Sequence, residues 1–167
     1  MKTLLNIVIA ALMLLSVNAV SAQNSKADKK AAKELAVMNK IDSVNYTFKA
    51  TYMIPLQGPG RPIVTNDYDL RVKKDSVIAY LPFFGRVYMK APINSNDGGL
   101  KFTSTKFDYK TTTKKKGGWR VTIIIKDTDK ANRITLDISP NGSATLVTVG
   151  NFRDAITFYG NIVTDNK

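Results

Sequence analysis

The stretch "VNYTFKATYMI", residues 44–54, decides the fold class. Its apolar positions recur at every second residue, and they are Tyr46, Phe48, Ala50, Tyr52 and Ile54. A period of two is typical of a β-strand that buries one face. The sequence therefore predicts a strand here, with these five side chains on its buried face, that ends at Pro55.

The same period returns along the rest of the chain, between clusters of turn-forming residues. Further strands are predicted at 68–73, from residue 77, and at 100–109, 119–126, 133–139, 144–149 and 152–162. The apolar residues of one strand change face between Phe102 and Phe107, which predicts a bulge near Ser104. Short connections favour antiparallel pairing. We expect a mainly β protein with an antiparallel sheet of about eight strands, barrel-like or a sandwich, and one N-terminal helix.

The helix is predicted at 24–40, where apolar residues recur every three or four positions among lysines. These apolar positions are Ala27, Ala31, Leu35 and Met38. Ser25 is the expected N-cap. This helical lead segment, 23–43, precedes a single antiparallel β domain at 44–167. The helix is expected to lie across a sheet face, to dock loosely, or to rest on a membrane surface.

Residues 1–22 have the pattern of a cleaved secretory signal peptide. Lys2 gives a basic start, an apolar run follows, and small residues place the cleavage between Ala22 and Gln23. The sequence therefore predicts export, to the periplasm first and to the medium as the alternative. No later apolar run is long enough for a membrane-spanning helix, so no transmembrane segment is expected after signal removal.

The composition excludes several classes of enzyme. The chain contains no His and no Cys. Zinc sites built from those residues, Ser-His-Asp triads and Cys-His pairs are therefore excluded. We expect a non-catalytic protein without a metal site or cofactor. The alternative is an enzyme that acts on a glycan or on peptidoglycan through Asp residues, because paired carboxylates hydrolyse glycosides.

The net charge of the chain is strongly positive. It is +12 for the full sequence and becomes +11 when Lys2 leaves with the signal peptide. A basic exported protein meets anionic envelope surfaces and acidic glycans, so these are the expected partners rather than nucleic acid. The candidate contact residues are Lys114, Lys115, Lys116 and the nearby Trp119. The alternative is that these lysines only keep the protein soluble and discourage aggregation.

The stretch "YLPFFGRVY", residues 80–88, is rich in aromatic residues around Pro82 and Gly85, which interrupt a regular strand. If both sheet faces are covered, all the rings belong to the core, and the usual burial of large apolar side chains favours this interpretation. If one face is open, the rings form a patch that binds a sugar or a planar acid. That patch would consist of Tyr80, Phe84, Tyr88 and, beside them, Arg86.

Several motifs follow one another in a distinctive order: "Y.L.V..D.V.AYLPFFGR", "GGLKF.S..FDY", "GGW.V.I" and a late "G.A.L.V". From Phe48 to Gly160 this order resembles an uncharacterised family of exported Bacteroidetes proteins, domain of unknown function 4251. The resemblance implies an envelope location and a small β-rich domain, and it assigns no activity and no binding residues. It also makes Ser43 and Ser76, each in an Asp-Ser-Val triplet, candidates for O-glycosylation.

These observations lead to one expectation about function. The protein is expected to be an exported, non-catalytic small binding module, or a module associated with the cell envelope, with an unknown ligand. Two alternatives remain beside it. One is the Asp-dependent enzyme, and the other is a protein-partner or inhibitory module that offers a sheet edge to another protein.

Overall fold

The computed structural model describes residues 27–88 and 99–163. Helix α1 spans 27–42. In the described residues, ten strands follow: β1 (Tyr46–Pro55), β2 (Arg61–Pro62), β3 (Asp69–Val72), β4 (Val77–Leu81), β5 (Leu100–Ser104), β6 (Phe107–Thr113), β7 (Trp119–Ile125), β8 (Arg133–Ile138), β9 (Ser143–Val149) and β10 (Ile156–Ile162). The predicted cleavage site between Ala22 and Gln23 and the predicted N-cap Ser25 lie outside the described residues.

The strands form one antiparallel sheet in the order β5-β4-β3-β1-β10-β9-β8-β7-β6, and β2 adds to β1. β5 and β6 stand at the two ends of this order, although only Thr105 and Lys106 separate them along the chain. An even number of antiparallel pairings separates β4 from β7, so β5 and β6 run in the same direction. They are one bent strand, which pairs first with β4 and then with β7 and so nearly closes the sheet into a barrel.

The predicted fold class is confirmed. Once β5 and β6 count as one bent strand, the nine strands of the main path become eight around the core. The barrel-like alternative is therefore the observed one. The change of face between Phe102 and Phe107 marks the bend, which lies at Thr105 and Lys106, directly after Ser104.

Asp127 holds the bend together. Its Oδ1 accepts a hydrogen bond from Ser104 Oγ at 2.5 Å, and its Oδ2 accepts from the amides of Thr105 at 2.8 Å and Lys106 at 3.1 Å. Lys126 then donates its amide to the carbonyl of Lys106 at 2.9 Å, which begins the pairing of β6 with β7. One carboxylate thus accepts hydrogen bonds from the two backbone amides of the bend.

The first strand contains a bulge that the alternating pattern does not reveal. The register of β1 against β10 shifts between Ala50 and Tyr52. The predicted burial of Tyr52 and Ile54 is therefore wrong: Tyr52 is exposed, Ile54 is half-buried, and Met53 takes the buried position. One extra residue in a strand moves every later side chain to the opposite face.

The interior of the barrel is filled by apolar side chains from both halves of the sheet. Its largest fully buried members include Phe48, Phe158, Leu70, Leu81, Leu136, Leu146 and Ile123. Gly160 on β10 lets two backbones approach closely, because a Cβ atom there would lie 1.9 Å from the carbonyl oxygen of Lys49. The close pairing of β1 with β10 therefore requires glycine at this position.

Within the described residues, helix α1 buries apolar side chains against the barrel only in its C-terminal half. Val37 and Ile41 are fully buried, whereas Leu35 is 53% exposed. The prediction that Leu35 belongs to the buried apolar face of the helix is therefore wrong. Val37 lies beside Gly142 in the β8–β9 turn, and the carbonyl of Ile41 accepts a hydrogen bond from the Tyr109 hydroxyl at 3.5 Å. No helix within the described residues is long and apolar enough to cross a membrane.

The helix ends in a Schellman motif. The amide of Asn45 donates to the carbonyl of Lys40 at 3.2 Å, and the amide of Val44 donates to Ile41 at 3.1 Å. Val44 adopts the left-handed conformation with φ 50°, where glycine is usual. This turn leads the chain directly from the helix into β1.

Candidate ligand-binding surface

The aromatic stretch after β4 divides between the core and the surface. Leu81 and Pro82 are buried and Phe83 is half-buried. In contrast, the exposed fractions are 37% for Tyr80, 52% for Phe84 and 61% for Tyr88. The expectation that all these rings belong to the core is therefore wrong. Tyr80 faces outward on β4, and the chain leaves the sheet after Leu81, before Phe84 and Tyr88.

A buried carboxylate fixes the backbone of this exposed segment. Asp154 is 5% exposed, and its Oδ2 accepts the amide of Arg86 at 3.0 Å. The amide of Asp154 donates in return to the carbonyl of Arg86 at 3.1 Å, and Val87 forms an antiparallel bridge with Arg153. The segment is therefore anchored to residues 153 and 154 by backbone and side-chain hydrogen bonds.

Tyr88 completes this attachment through its side chain. Its hydroxyl donates to Asp154 Oδ1 at 2.5 Å, and its amide donates to the carbonyl of Phe152 at 2.8 Å. The side-chain hydrogen bond raises the pKa of Tyr88. The same bond, followed by the bond from the Arg86 amide, lowers the pKa of Asp154. The ring of Tyr88 is thus positioned by its hydroxyl while its face stays exposed.

Cationic side chains lie over several rings of this region. The Arg61 guanidinium is 5.3 Å from the centre of the Phe84 ring. The Arg153 guanidinium is 4.9 Å from the Phe83 ring. Such stacking holds the cation beside the ring and leaves donors free to meet an acidic group.

We use the name aromatic surface for Phe84, Arg86 and Tyr88 together with Arg61. Tyr80 lies elsewhere, on the outer wall of the barrel, where it stacks on Tyr68 with ring centres 5.4 Å apart. Three of the four residues of the predicted patch thus lie on the segment after β4, and the fourth, Tyr80, stacks on Tyr68 from within β4. Exposed rings beside guanidinium groups suit a ligand with a flat apolar face and a carboxylate or phosphate.

The lysines of the β6–β7 hairpin form a second exposed group, which we call the basic tip: Lys114, Lys115 and Lys116. Lys114 Nζ lies 3.5 Å from Asp137 Oδ1, so one of the three charges is partly compensated. Lys115 and Lys116 occupy the turn itself. The tip therefore presents two exposed lysines whose charges no described ion pair compensates.

Trp119 does not belong to this exposed group. It is 8% exposed and joins the core at the start of β7, opposite Ile138. Its neighbour Arg120 points outward and makes two hydrogen bonds of 2.8 Å to Asp137. The prediction that Trp119 is a surface contact is therefore wrong, because the side chains of the odd-numbered residues of β7 point into the interior.

The carboxylates of the barrel are dispersed. Asp69 is paired with Lys49 at 2.9 Å and with Arg71 at 3.1 Å. Asp127 holds the strand bend and Asp154 holds the aromatic segment. Across residues 27–88 and 99–163 no group of three potential metal ligands converges. An Asp-dependent mechanism would need two of these carboxylates to approach one substrate.

The two candidate glycosylation sites lie at one end of the barrel. Ser43 is exposed and donates to the carbonyl of Lys40 at 3.1 Å, while half-buried Ser76 donates to Asp75 Oδ1 at 2.8 Å. Residues of both triplets line one shallow groove of about 520 Å³, formed by Ser43, Val44, Asn45, Lys73, Lys74 and Asp75. The structure thus brings the two triplets together.

Sequence reasoning missed the residues that shape the aromatic surface from outside its own segment. Arg61 comes from the short strand β2, and Arg153 and Asp154 come from the connection before β10. No spacing rule connects these positions to residues 84–88. The only local signal is the Gly-rich loop before Arg61, which indicates a turn but not the ring that the arginine covers.

A comparison with protein families now identifies the chain. Residues 28–162 match the model of domain of unknown function 4251. The chain belongs to this family. The resemblance seen in the sequence motifs is therefore confirmed, and the match includes helix α1 as well as the barrel.

A solved structure of the same family has a similar fold. It is the crystal structure of a family member from Bacteroides eggerthii, with a TM-score of 0.59 and 17% sequence identity. The alignment covers 81% of this chain and 91% of that chain. At this identity the similarity concerns the fold alone. Among curated proteins, no significant match is found.

Proposed function

We propose that this protein is an exported, non-catalytic binding module of the cell envelope, and that the aromatic surface is its ligand face. The predicted signal peptide supports export to the periplasm. The observation that carries the proposal is the exposed Phe84 ring, which lies under the Arg61 guanidinium on a segment fixed by Asp154. The proposed ligand is an acidic glycan.

The rigidity of the segment supports a binding role. An exposed ring on a mobile loop loses conformational freedom on binding, and this loss reduces affinity. Here the backbone amide of Arg86 and the hydroxyl of Tyr88 are already bonded to one buried carboxylate. The rings are therefore positioned before a ligand arrives.

The charge beside the rings supports the choice of an acidic ligand. Arg61 and Arg86 are exposed, while Asp154, the carboxylate that contacts this segment, is buried and already hydrogen-bonded. A sugar ring packs its apolar face on an aromatic side chain, and a guanidinium pairs with a carboxylate in two parallel hydrogen bonds. An acidic saccharide offers both features in one molecule.

Calorimetric titration with a short oligogalacturonate tests the proposal, with a neutral oligosaccharide of equal length as the comparison. We expect the acidic ligand to bind, and we expect Phe84→Ala and Arg61→Gln each to weaken binding about tenfold. Leu35→Ala and Lys73→Gln are matched controls, since they remove an equally exposed apolar side chain and a single exposed charge elsewhere. Unchanged affinity in both surface variants, or no binding by the wild type, would contradict the proposal.

A second observation favours attachment to an anionic envelope surface. Lys115 and Lys116 are exposed in a turn whose conformation is set by Gly117 and Gly118, with φ of 84° and 82°. Lysines at the tip of a hairpin reach a charged surface ahead of the rest of the domain. We propose that the basic tip makes this contact.

A further inference from the structure

Within the described residues, each half of the bent strand has one edge without a strand partner, and one of these is the outer edge of β6. β5 pairs with β4 and β6 pairs with β7, so after the bend the other side of β6 has no strand beside it. The four residues at the end of β6 are all exposed, and they are Lys110, Thr111, Thr112 and Thr113. An unpaired edge of this kind offers backbone donors and acceptors to another chain.

The hydrogen bonds at the two ends of β6 show which backbone groups face outward. Lys126 donates to the carbonyl of Lys106, and Lys114 donates to the carbonyl of Gly118. In an antiparallel pair such hydrogen-bonded positions alternate with positions whose amide and carbonyl point away from the partner. The backbone amides and carbonyls of the even-numbered residues of β6 therefore point toward β7. Those of Thr111 and Thr113 point toward the open side.

The charge around this edge selects the kind of strand that can join it. Within β6 and its two flanks the basic residues are Lys106, Lys110, Lys114, Lys115 and Lys116. The acid of β6, Asp108, is paired with Lys126 at 2.7 Å. A second copy of this protein would bring lysines against lysines, since like charges placed directly opposite one another destabilise a strand pair.

We propose that the outer edge of β6 binds an extended acidic segment of a partner protein as an added strand. Thr111 and Thr113 supply the backbone hydrogen bonds. Acidic side chains at alternate positions of the partner then lie on the face that carries Lys110 and Lys114. The lysines thus repel basic strands and attract an acidic one. The same residues therefore prevent aggregation through this edge and select the partner strand.

A fluorescent synthetic peptide in which Glu and Thr alternate tests this interaction by anisotropy at low ionic strength. The comparison peptide has Lys in place of Glu and has the same alternation. We expect the acidic peptide to bind and the basic one not to bind. Failure of the acidic peptide to bind, or equal binding of both peptides, would overturn the proposal.

Two substitutions at one residue separate strand addition from general charge attraction. Thr111→Pro removes an amide that faces the open side and leaves the β6–β7 hydrogen bonds in place, whereas Thr111→Val keeps the amide. We expect the proline variant to bind the acidic peptide about tenfold more weakly and the valine variant to bind it as the wild type does. Equal binding by the two folded variants would exclude strand addition.

Hydrogen exchange of the wild-type protein gives the same answer without a substitution, should the proline variant fail to fold. The amides of Thr111 and Thr113 are expected to exchange more slowly when the acidic peptide is present. The amide of Thr112 already faces β7, so the peptide should leave its exchange unchanged. Exchange at Thr111 and Thr113 that does not respond to bound peptide would also overturn the proposal.

Discussion

Asp127 accepts a hydrogen bond from the hydroxyl of Ser104 at 2.5 Å, at the point where one strand changes partners and nearly closes the barrel. The two residues are far apart in sequence, and their contact joins the end of β5 to the segment after β7. The same carboxylate accepts the amides of Thr105 and Lys106. A sheet that bends sharply loses ladder hydrogen bonds, and here one side chain replaces them.

The first prediction is that Asp127→Asn destabilises the protein and makes its stability depend less on pH in the acid range. The hydrogen bond from Ser104, followed by the one from the Thr105 amide, lowers the pKa of Asp127. A carboxyl whose pKa is lower in the folded state stabilises above its unfolded pKa of about 3.9. That contribution is lost as the pH falls through the pKa of Asp127 in the folded protein. Thermal unfolding of both proteins between neutral pH and strong acid measures the difference.

The control for this prediction is Asp75→Asn. Asp75 lies in an exposed turn, and among the described residues its side chain accepts a hydrogen bond only from the adjacent Ser76. It should leave the acid dependence of the melting temperature as in the wild type. An Asp127 variant with the melting temperature and acid dependence of the wild type would mean that the bend holds without its carboxylate.

The second prediction concerns the close contact between β1 and β10. Gly160→Ala should lower the free energy of unfolding by about 3 kcal/mol, because the new Cβ would meet the carbonyl of Lys49 at 1.9 Å and the backbones must separate. Gly58→Ala is the comparison, since its Cβ would have no atom within 4 Å and only its φ of 97° opposes the change. Urea unfolding should give Gly160→Ala a much lower free energy of unfolding than Gly58→Ala, and the reverse order would contradict the close approach of β1 and β10.

The third prediction is a gradient of stability across three phenylalanines. Phe158→Ala should cost about 3 to 5 kcal/mol, since Phe158 is fully buried. Phe84→Ala should cost less than about 1 kcal/mol, because its ring is 52% exposed. Phe83 is half-buried beneath Arg153, so its replacement should fall between the two. Chemical denaturation of the three variants measures the gradient, and a large loss at Phe84 would mean that its ring belongs to the core.

The sequence predicts the fold better than the site, and particular residues show why. Alternation between Tyr46 and Ala50 identifies β1 because burial of one sheet face is a local property of the strand. The change of face between Phe102 and Phe107 even marks the bend that closes the barrel. The extra residue between Ala50 and Tyr52 leaves no such sign, because tyrosine and methionine both fit either face.

The aromatic surface depends on contacts between segments that are distant along the chain. Arg61 on β2, which pairs with β1, lies over the Phe84 ring, and Asp154 before β10 accepts the amide of Arg86 after β4. The helix shows the same limit. Its sequence carries two apolar spacings, one through Leu35 and one through Val37 and Ile41, and only packing on the barrel selects the second.

The final prediction tests the basic tip as an anchor on an anionic surface. Each lysine near an anionic bilayer contributes about 1 kcal/mol to attachment. Because Lys114 is partly compensated by Asp137, the double change Lys115→Gln and Lys116→Gln should remove most of the effect. Attachment should weaken by about 2 kcal/mol, roughly thirtyfold, without a change in melting temperature.

The measurement is co-sedimentation with vesicles that contain phosphatidylglycerol, at low and at moderate salt. Binding of the wild type should fall as salt rises, because exposed charges are screened beyond about 10 Å at 0.1 M. The matched control replaces Lys73 and Lys74 with Gln, which removes the same charge from the exposed β3–β4 turn. If that control loses as much binding as the tip variant, attachment follows net charge alone. If neither the wild type nor the variants sediment, the tip lysines serve solubility, since lysine at an edge hairpin also prevents aggregation.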